Sequence, residues 1–195
     1  MAEQGVSSGD WELVQRAQRG DREAFRTLVE RYQAKVAALA MGMLRSREDA
    51  LDVVQEAFTK AYQGISRFKG QSGFYTWVYR IALNLCIDRQ RRESRMPEVS
   101  LEPPGRPDDG ALAPERAVTD GDQPFERARD AQIGRRLREA ISELTPEHRA
   151  VILLREVEGL SYEEISQALD CPKGTVMSRL HYARRQLQTR LRELL

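Results

Sequence analysis

The chain is predicted to be all-α, two small helical domains joined by a flexible acidic linker, and three features of its 195 residues carry that prediction. Apolar residues recur at the i, i+3, i+4, i+7 spacing of a helix in both halves, and neither half shows the alternation of a strand. Six of the eight prolines crowd into one stretch, Met96 to Asp130, with few large apolar residues. That stretch also holds four basic and nine acidic residues, net −5, although the whole chain is +1. Such a segment has the composition of a linker that builds no core of its own. The remaining 160 residues carry 27 basic and 21 acidic side chains, net +6, so the parts expected to fold are basic.

The division is therefore residues 1–20, an N-terminal extension and first helix; 21–95, a helical domain; 96–130, the linker; and 131–195, a second helical domain. In the first domain Asp21 can cap a helix whose apolar positions are Phe25, Leu28, Val29, Tyr32, Val36, Leu39 and Met43. A second helix starts near Ser46, with Asp49 three residues on, and turns Val53, Val54, Ala57, Phe58, Ala61 and Tyr62 inward. After the polar turn Lys69 to Gly73, a third runs from about Phe74 to Arg92 with Val78, Ile81, Ala82 and Leu85 on its apolar side.

In the second domain Thr145-Pro146 is a cap followed by proline in the first turn, and Val151, Ile152, Leu154 and Val157 form the buried side before Gly159. Ser161 and Glu164 make a capping box for a short helix, Tyr162 to Leu169. Asp170 to Gly174 is a tight turn, and Thr175 can cap a final helix with Val176, Leu180, Ala183, Leu187 and Leu191 inward. Two helices of opposite amphipathic phase across a short turn make a helix-turn-helix over about 161–181, the geometry that sets a recognition helix in the major groove of DNA. From Cys171 onward six Lys or Arg face a single acid, Glu193, as phosphate contact requires.

Two more constellations stand out. Phe68, Phe74, Tyr75, Trp77 and Tyr79 put five aromatics within twelve residues, with Arg67, Lys69 and Arg80 among them and Arg89, Arg91, Arg92 and Arg95 beyond. Rings interleaved with cations suit unstacked bases, while rings at helical spacing also build cores. On the second helix Asp49, Asp52, Gln55, Glu56 and Lys60 gather on the polar side, which by pattern alone is a solvated face.

Several function classes have no support. The longest nearly uncharged apolar stretch, Val36 to Leu44, has nine residues, far short of the ~20 of a spanning helix. Residues 1–11 do not read as a secretory signal, so cytoplasmic residence is expected. Cys86 and Cys171 with His148 and His181 have no metal-ligand spacing, so no metal and no cofactor is expected, and the two cysteines read as reduced thiols. No nucleophile, phosphate loop or dinucleotide fingerprint is present, so no catalytic residue is named and the chain reads as no enzyme.

Three stretches together, Asp52 to Tyr62, Phe68 to Asn84 and Leu160 to Leu180, make the chain similar to the extracytoplasmic-function (group 4) sigma factors of the sigma-70 family, over nearly all its length but the linker. The resemblance implies a sigma-2 helical bundle and a sigma-4 helix-turn-helix domain in a subunit that directs core RNA polymerase to −10/−35 promoters, of a stress or envelope regulon. By resemblance, core polymerase binding falls at about 52–65, with Asp52, Gln55, Glu56 and Lys60 gripping the clamp coiled coil of the largest subunit. Recognition and melting of the −10 element falls at about 67–92, where Phe68, Lys69, Phe74, Tyr75, Trp77, Arg80 and Asn84 are the candidates for an extruded base and the strand beside it. The −35 element would meet Lys173, Thr175, Ser178, Arg179, His181, Tyr182 and Arg185. The family also implies a cognate anti-sigma factor, often held at the inner membrane, no small-molecule substrate, and a monomer when free. The chain departs from the family at Met177 and Tyr182, where members commonly or often carry arginine, so the bases read do not carry over. An ordinary helix-turn-helix regulator with a sensing or dimerising bundle is the competing reading; it would bind duplex DNA unaided as a symmetric dimer.

Overall fold

A computed structural model describes residues 8–93 and 124–193, and the elements of this stretch are all helical. The first half holds α1 (Ser8–Gln18), α2 (Arg22–Met43), α3 (Arg47–Gly64), a 3-10 turn (Ile65–Arg67) and α4 (Phe74–Glu93). The second holds α5 (Pro124–Ser142), α6 (Pro146–Ile152), a π turn (Leu153–Val157), α7 (Tyr162–Leu169) and α8 (Lys173–Glu193). Most of the expected linker lies outside the described residues; α5 starts at Pro124, so the helix reaches seven residues into it.

Local caps place the starts of α2, α3, α6 and α7. The Asp21 carboxylate accepts from the Glu23 and Ala24 N–H groups at 3.0 and 3.1 Å. Those bonds, Ala24 foremost and then Arg16, hold it below the usual carboxylate range. Ser46 Oγ accepts from Asp49 N, and Thr145 Oγ1 from His148 N. At α7 both halves of the capping box form: Glu164 N donates to Ser161 Oγ and Ser161 N to Glu164 Oε2.

The core of the first half is Leu28, Val36, Leu39, Met43, Val53, Ala57, Phe74, Val78, Tyr79 and Leu83, where α2, α3 and α4 meet. α1 is tied on by Asp10, which is almost wholly buried and accepts from Arg31 and from the Tyr32 hydroxyl. Burial and then Asp10 push the Tyr32 hydroxyl far above its ordinary range. In the second half Leu154, Ile165, Val176, Leu180 and Ala183 close a smaller core among α6, α7 and α8.

Three expectations are corrected. Tyr62, expected inward, is 41% exposed with its ring edge-on to Phe25 at 4.9 Å; the inward row ends at Ala61. Val157, expected on the buried side, is 63% exposed, because the π turn bonds Glu158 N to Leu153 O and so shifts the helical phase at its C-terminal end. α8 starts at Lys173 and not at Thr175: the Pro172 carbonyl accepts from Thr175 N and Val176 N at 2.8 and 3.2 Å, so Thr175 sits in the first turn.

The two halves pack on each other, α4 against α7 and α2 against the α5–α6 region. Gly42 makes this approach possible: a Cβ there would stand 2.8 Å from Leu153 Cδ1. Beside it the Arg149 guanidinium, from the second half, donates to Met43 O of the first at 2.5 Å. Gln90 Nε2 donates to the same carbonyl.

Candidate nucleic-acid interface

On α3 the packing of Val53, Ala57, Phe58 and Ala61 against α2 and α4 forces the opposite side outward. Asp52, Gln55, Glu56 and Lys60 all stand on that outer side, and all four are exposed. Glu56 pairs with Lys60 one turn on at 3.0 Å. Asp52 and Asp49 are bridged by Arg89 of α4, each at 3.3 Å. Leu51, 48% exposed on this face beside Gln55, extends it with an apolar group that the sequence pattern did not single out. Its only signal was a leucine off the inward row.

The loop between the 3-10 turn and α4 is built from beneath. Gln18 of α1 donates to the carbonyls of Ile65 and Phe68 at 2.9 and 2.8 Å. Trp11 covers Gly70, whose φ of +69° and whose approach to that ring both require glycine. Trp11 and Gln18 support the loop without belonging to it, and only an unexplained tryptophan before the first core helix hinted at this.

The aromatic cluster is divided. Phe68, Phe74 and Tyr79 are buried, Phe68 stacked on the half-buried Trp77 at 4.8 Å between centroids and edge-on to Phe74 at 6.3 Å. In this arrangement Phe68 and Phe74 are packing groups with no free face. Lys69, Arg80 and Asn84 are exposed, and Tyr75 and Trp77 lie between the extremes.

Three of the groups along α4 are already engaged by the second half. The Tyr75 hydroxyl donates to Glu164, the Tyr79 hydroxyl to Glu158, and Arg80 Nη2 pairs with Asp170 at 2.8 Å. Burial first and Glu164 second push the Tyr75 hydroxyl up to about 12, while burial with Glu158 carries Tyr79 further up. Burial opposes ionisation of Glu164, but the hydrogen bonds from Tyr75 and Ser161 outweigh it and hold the carboxyl below its usual range. Asp170 can reach Arg80 because it caps α7 in the left-handed conformation, φ +50°.

α8 presents the expected face. Val176, Leu180, Ala183 and Leu187 are buried, and Lys173, Met177, Ser178, His181, Tyr182 and Arg185 are exposed. Thr175 and Arg179 are half-buried, and Arg179 folds back toward Cys171 Sγ at 3.9 Å. Lys173 is paired with Glu163 and Arg184 with Glu156. Among the described residues no group of three His, Cys, Asp or Glu could hold a metal ion, and no helix is long and apolar enough to cross a membrane.

An α-helical bundle carrying an aromatic loop, followed by a basic helix-turn-helix, is the layout of a transcription factor that meets DNA at two places. The Sigma-70 region 2 family model matches residues 28–96 and the Sigma-70 region 4 model matches residues 134–187. The ECF RNA polymerase sigma-E factor of Escherichia coli K12 is 40% identical over 191 residues, 95% of this chain and 96% of the relative. The RNA polymerase sigma-H factor of Pseudomonas aeruginosa is 39% identical over 194 residues, 95% of each chain. Among solved structures, that of CnrH in complex with the cytosolic domain of CnrY aligns with a TM-score of 0.66 at 26% identity, over 95% of this chain and 99% of that one. The chain belongs to the extracytoplasmic-function sigma factors of the sigma-70 family. Its role is promoter-specific initiation of transcription.

Proposed function

We propose that the chain binds core RNA polymerase through the outer side of α3, with Asp52, Gln55, Glu56 and Lys60 as the contacting set. The observation that carries this is the position of Gln55 and Glu56, exposed on the side of α3 opposite buried Val53, Ala57 and Phe58, where they contribute nothing to the core. The loop 68–74 and α4 meet the −10 element and its opened strand, and α8 meets the −35 element. Polymerase supplies the catalysis; the sigma subunit supplies the choice of promoter and the extruded-base site, which offsets the few kcal/mol of unstacking. Cytoplasmic residence and control by an anti-sigma antagonist, for a stress or envelope regulon, belong to the same reading.

The engagement of Tyr75, Tyr79 and Arg80 by Glu164, Glu158 and Asp170 supports one further step: the free chain is closed over its own −10 surface and binds DNA weakly until polymerase parts the two halves. Gel filtration with sigma-free core polymerase tests the reading. The wild type co-elutes stoichiometrically, and Gln55→Ala with Glu56→Ala abolishes co-elution while its melting temperature stays within a few degrees. Undiminished association of the double variant would remove the assignment, and symmetric dimers binding duplex DNA without polymerase would favour an ordinary regulator.

A further inference from the structure

The recognition helix shows an unusual balance of groups. Between Lys173 and Arg185, Met177, Ser178, His181, Tyr182 and Arg185 are exposed, outside the buried row of Val176, Leu180 and Ala183. Met177 is 53% and Tyr182 57% exposed, two of the seven large hydrophobic side chains left open to solvent among the described residues. The cations of the same helix are mostly drawn to its flanks: Lys173 to Glu163, Arg184 to Glu156 at 2.6 Å, Arg190 to Glu143 at 2.9 Å, and Arg179 toward Cys171. Only Arg185 stands in the middle of the outward side in this part of the helix.

Groups at the N-terminal end of a recognition helix reach base edges, and each base pair offers them a different pattern. Guanine presents two acceptors and selects a bidentate Arg or Lys; the one apolar group in the major groove is the C5 methyl of thymine. Neither a thioether nor a phenol has the paired donors that select guanine, but both can cover a methyl group.

We propose that Met177 and Tyr182 read A·T pairs in the upstream promoter element by covering thymine C5 methyl groups. The inference rests on the assignment of α8 to that element and adds which pairs it selects and by which atom. Arg185 and the flanking cations set register on the phosphates, without sequence information. His181, edge-on to Tyr182 at 5.6 Å between centroids, holds that ring on the outward side.

The test uses holoenzyme and a duplex promoter pool randomised over the −35 window, with the −10 region fixed. Enriched sequences are remade with deoxyuridine replacing thymidine one position at a time, which removes the methyl and leaves every hydrogen-bonding group. The expected result is enrichment of A·T pairs at adjacent positions, and at one or two of them a loss of affinity of about fourfold on removing the methyl, the worth of one buried CH2. Met177→Ala or Tyr182→Ala abolishes the thymidine–deoxyuridine difference at one position each, and Met177→Arg shifts enrichment there from A·T to G·C. Since both side chains are exposed, unchanged melting temperatures separate these effects from misfolding. Equal binding of thymidine and deoxyuridine duplexes overturns the inference, as does methyl sensitivity that survives in both alanine variants. Absence of any enriched sequence in that window would instead overturn the assignment of α8 to the promoter.

Discussion

Arg149 buries a guanidinium, 7% exposed, and among the described residues its hydrogen-bond partners are carbonyl oxygens with no carboxylate. They are Ile141 at 3.1 Å, Ser142, Leu144 at 3.0 Å and, across the interface, Met43 at 2.5 Å. These groups end α5 and α2, where the last carbonyls of a helix have no partner within it and carry its negative pole. Burial pulls the guanidinium below its ordinary range, and the carbonyls keep it an effective donor. Removing the side chain strands several acceptors at once, so Arg149→Ala should lower stability by on the order of 2–3 kcal/mol, the worth of hydrogen bonds to a charged group. A urea melt checks this. A variant as stable as the wild type would mean that water replaces the guanidinium freely.

Among the elements, the loop that precedes α4 depends on one glycine. Gly70 has φ +69°, and a Cβ on it would come within 2.7 Å of the Trp11 ring. A left-handed backbone costs a side-chain-bearing residue roughly 1–2 kcal/mol, and here Trp11 must move as well. Gly70→Ala should therefore lower stability by at least that amount and shift tryptophan emission as the ring is displaced; unchanged emission would show that the loop yields instead. This loop illustrates what could be read from sequence. Asp21, Ser46, Thr145 and Ser161 were legible as caps because each bonds to a backbone N–H within three residues of itself. The helix faces were legible for the same reason of locality, and so was the outer side of α3. The π turn was not, because widening one turn changes no residue type, and Val157 went to the wrong side with it. Nor did composition separate packed rings from free ones: Phe68 and Phe74 face inward because Trp11, Gln18 and Phe25 close over them from helices far away in sequence.

For the whole molecule the decisive contacts join residues 79 to 106 positions apart, beyond any periodicity: Tyr79 with Glu158, Tyr75 with Glu164, Arg80 with Asp170, and Arg149 with Met43. Three of the four place an acidic residue of the second half on a group of α4, which is where the same acids would repel a DNA strand. Under the proposed assignment of α4 to the −10 element, these carboxylates would stand where bases and phosphates bind. Exposed pairs such as Arg80–Asp170 contribute little singly, about 0–1 kcal/mol, so several together set a balance that a large partner can tip. Replacing Glu158 and Glu164 by Gln and Asp170 by Asn removes the charges and keeps the shape. Gln retains the capping box of α7, and Asn accepts the left-handed conformation at 170 as readily as Asp. The triple variant should open: energy transfer between dyes at Ser66 and Gln188 should fall, and free protein should bind a single-stranded −10 oligonucleotide several-fold more tightly than wild type. Association with core polymerase should persist, since the outer side of α3 is untouched. Unchanged transfer and unchanged oligonucleotide affinity together would show that the carboxylates do not hold the two halves closed.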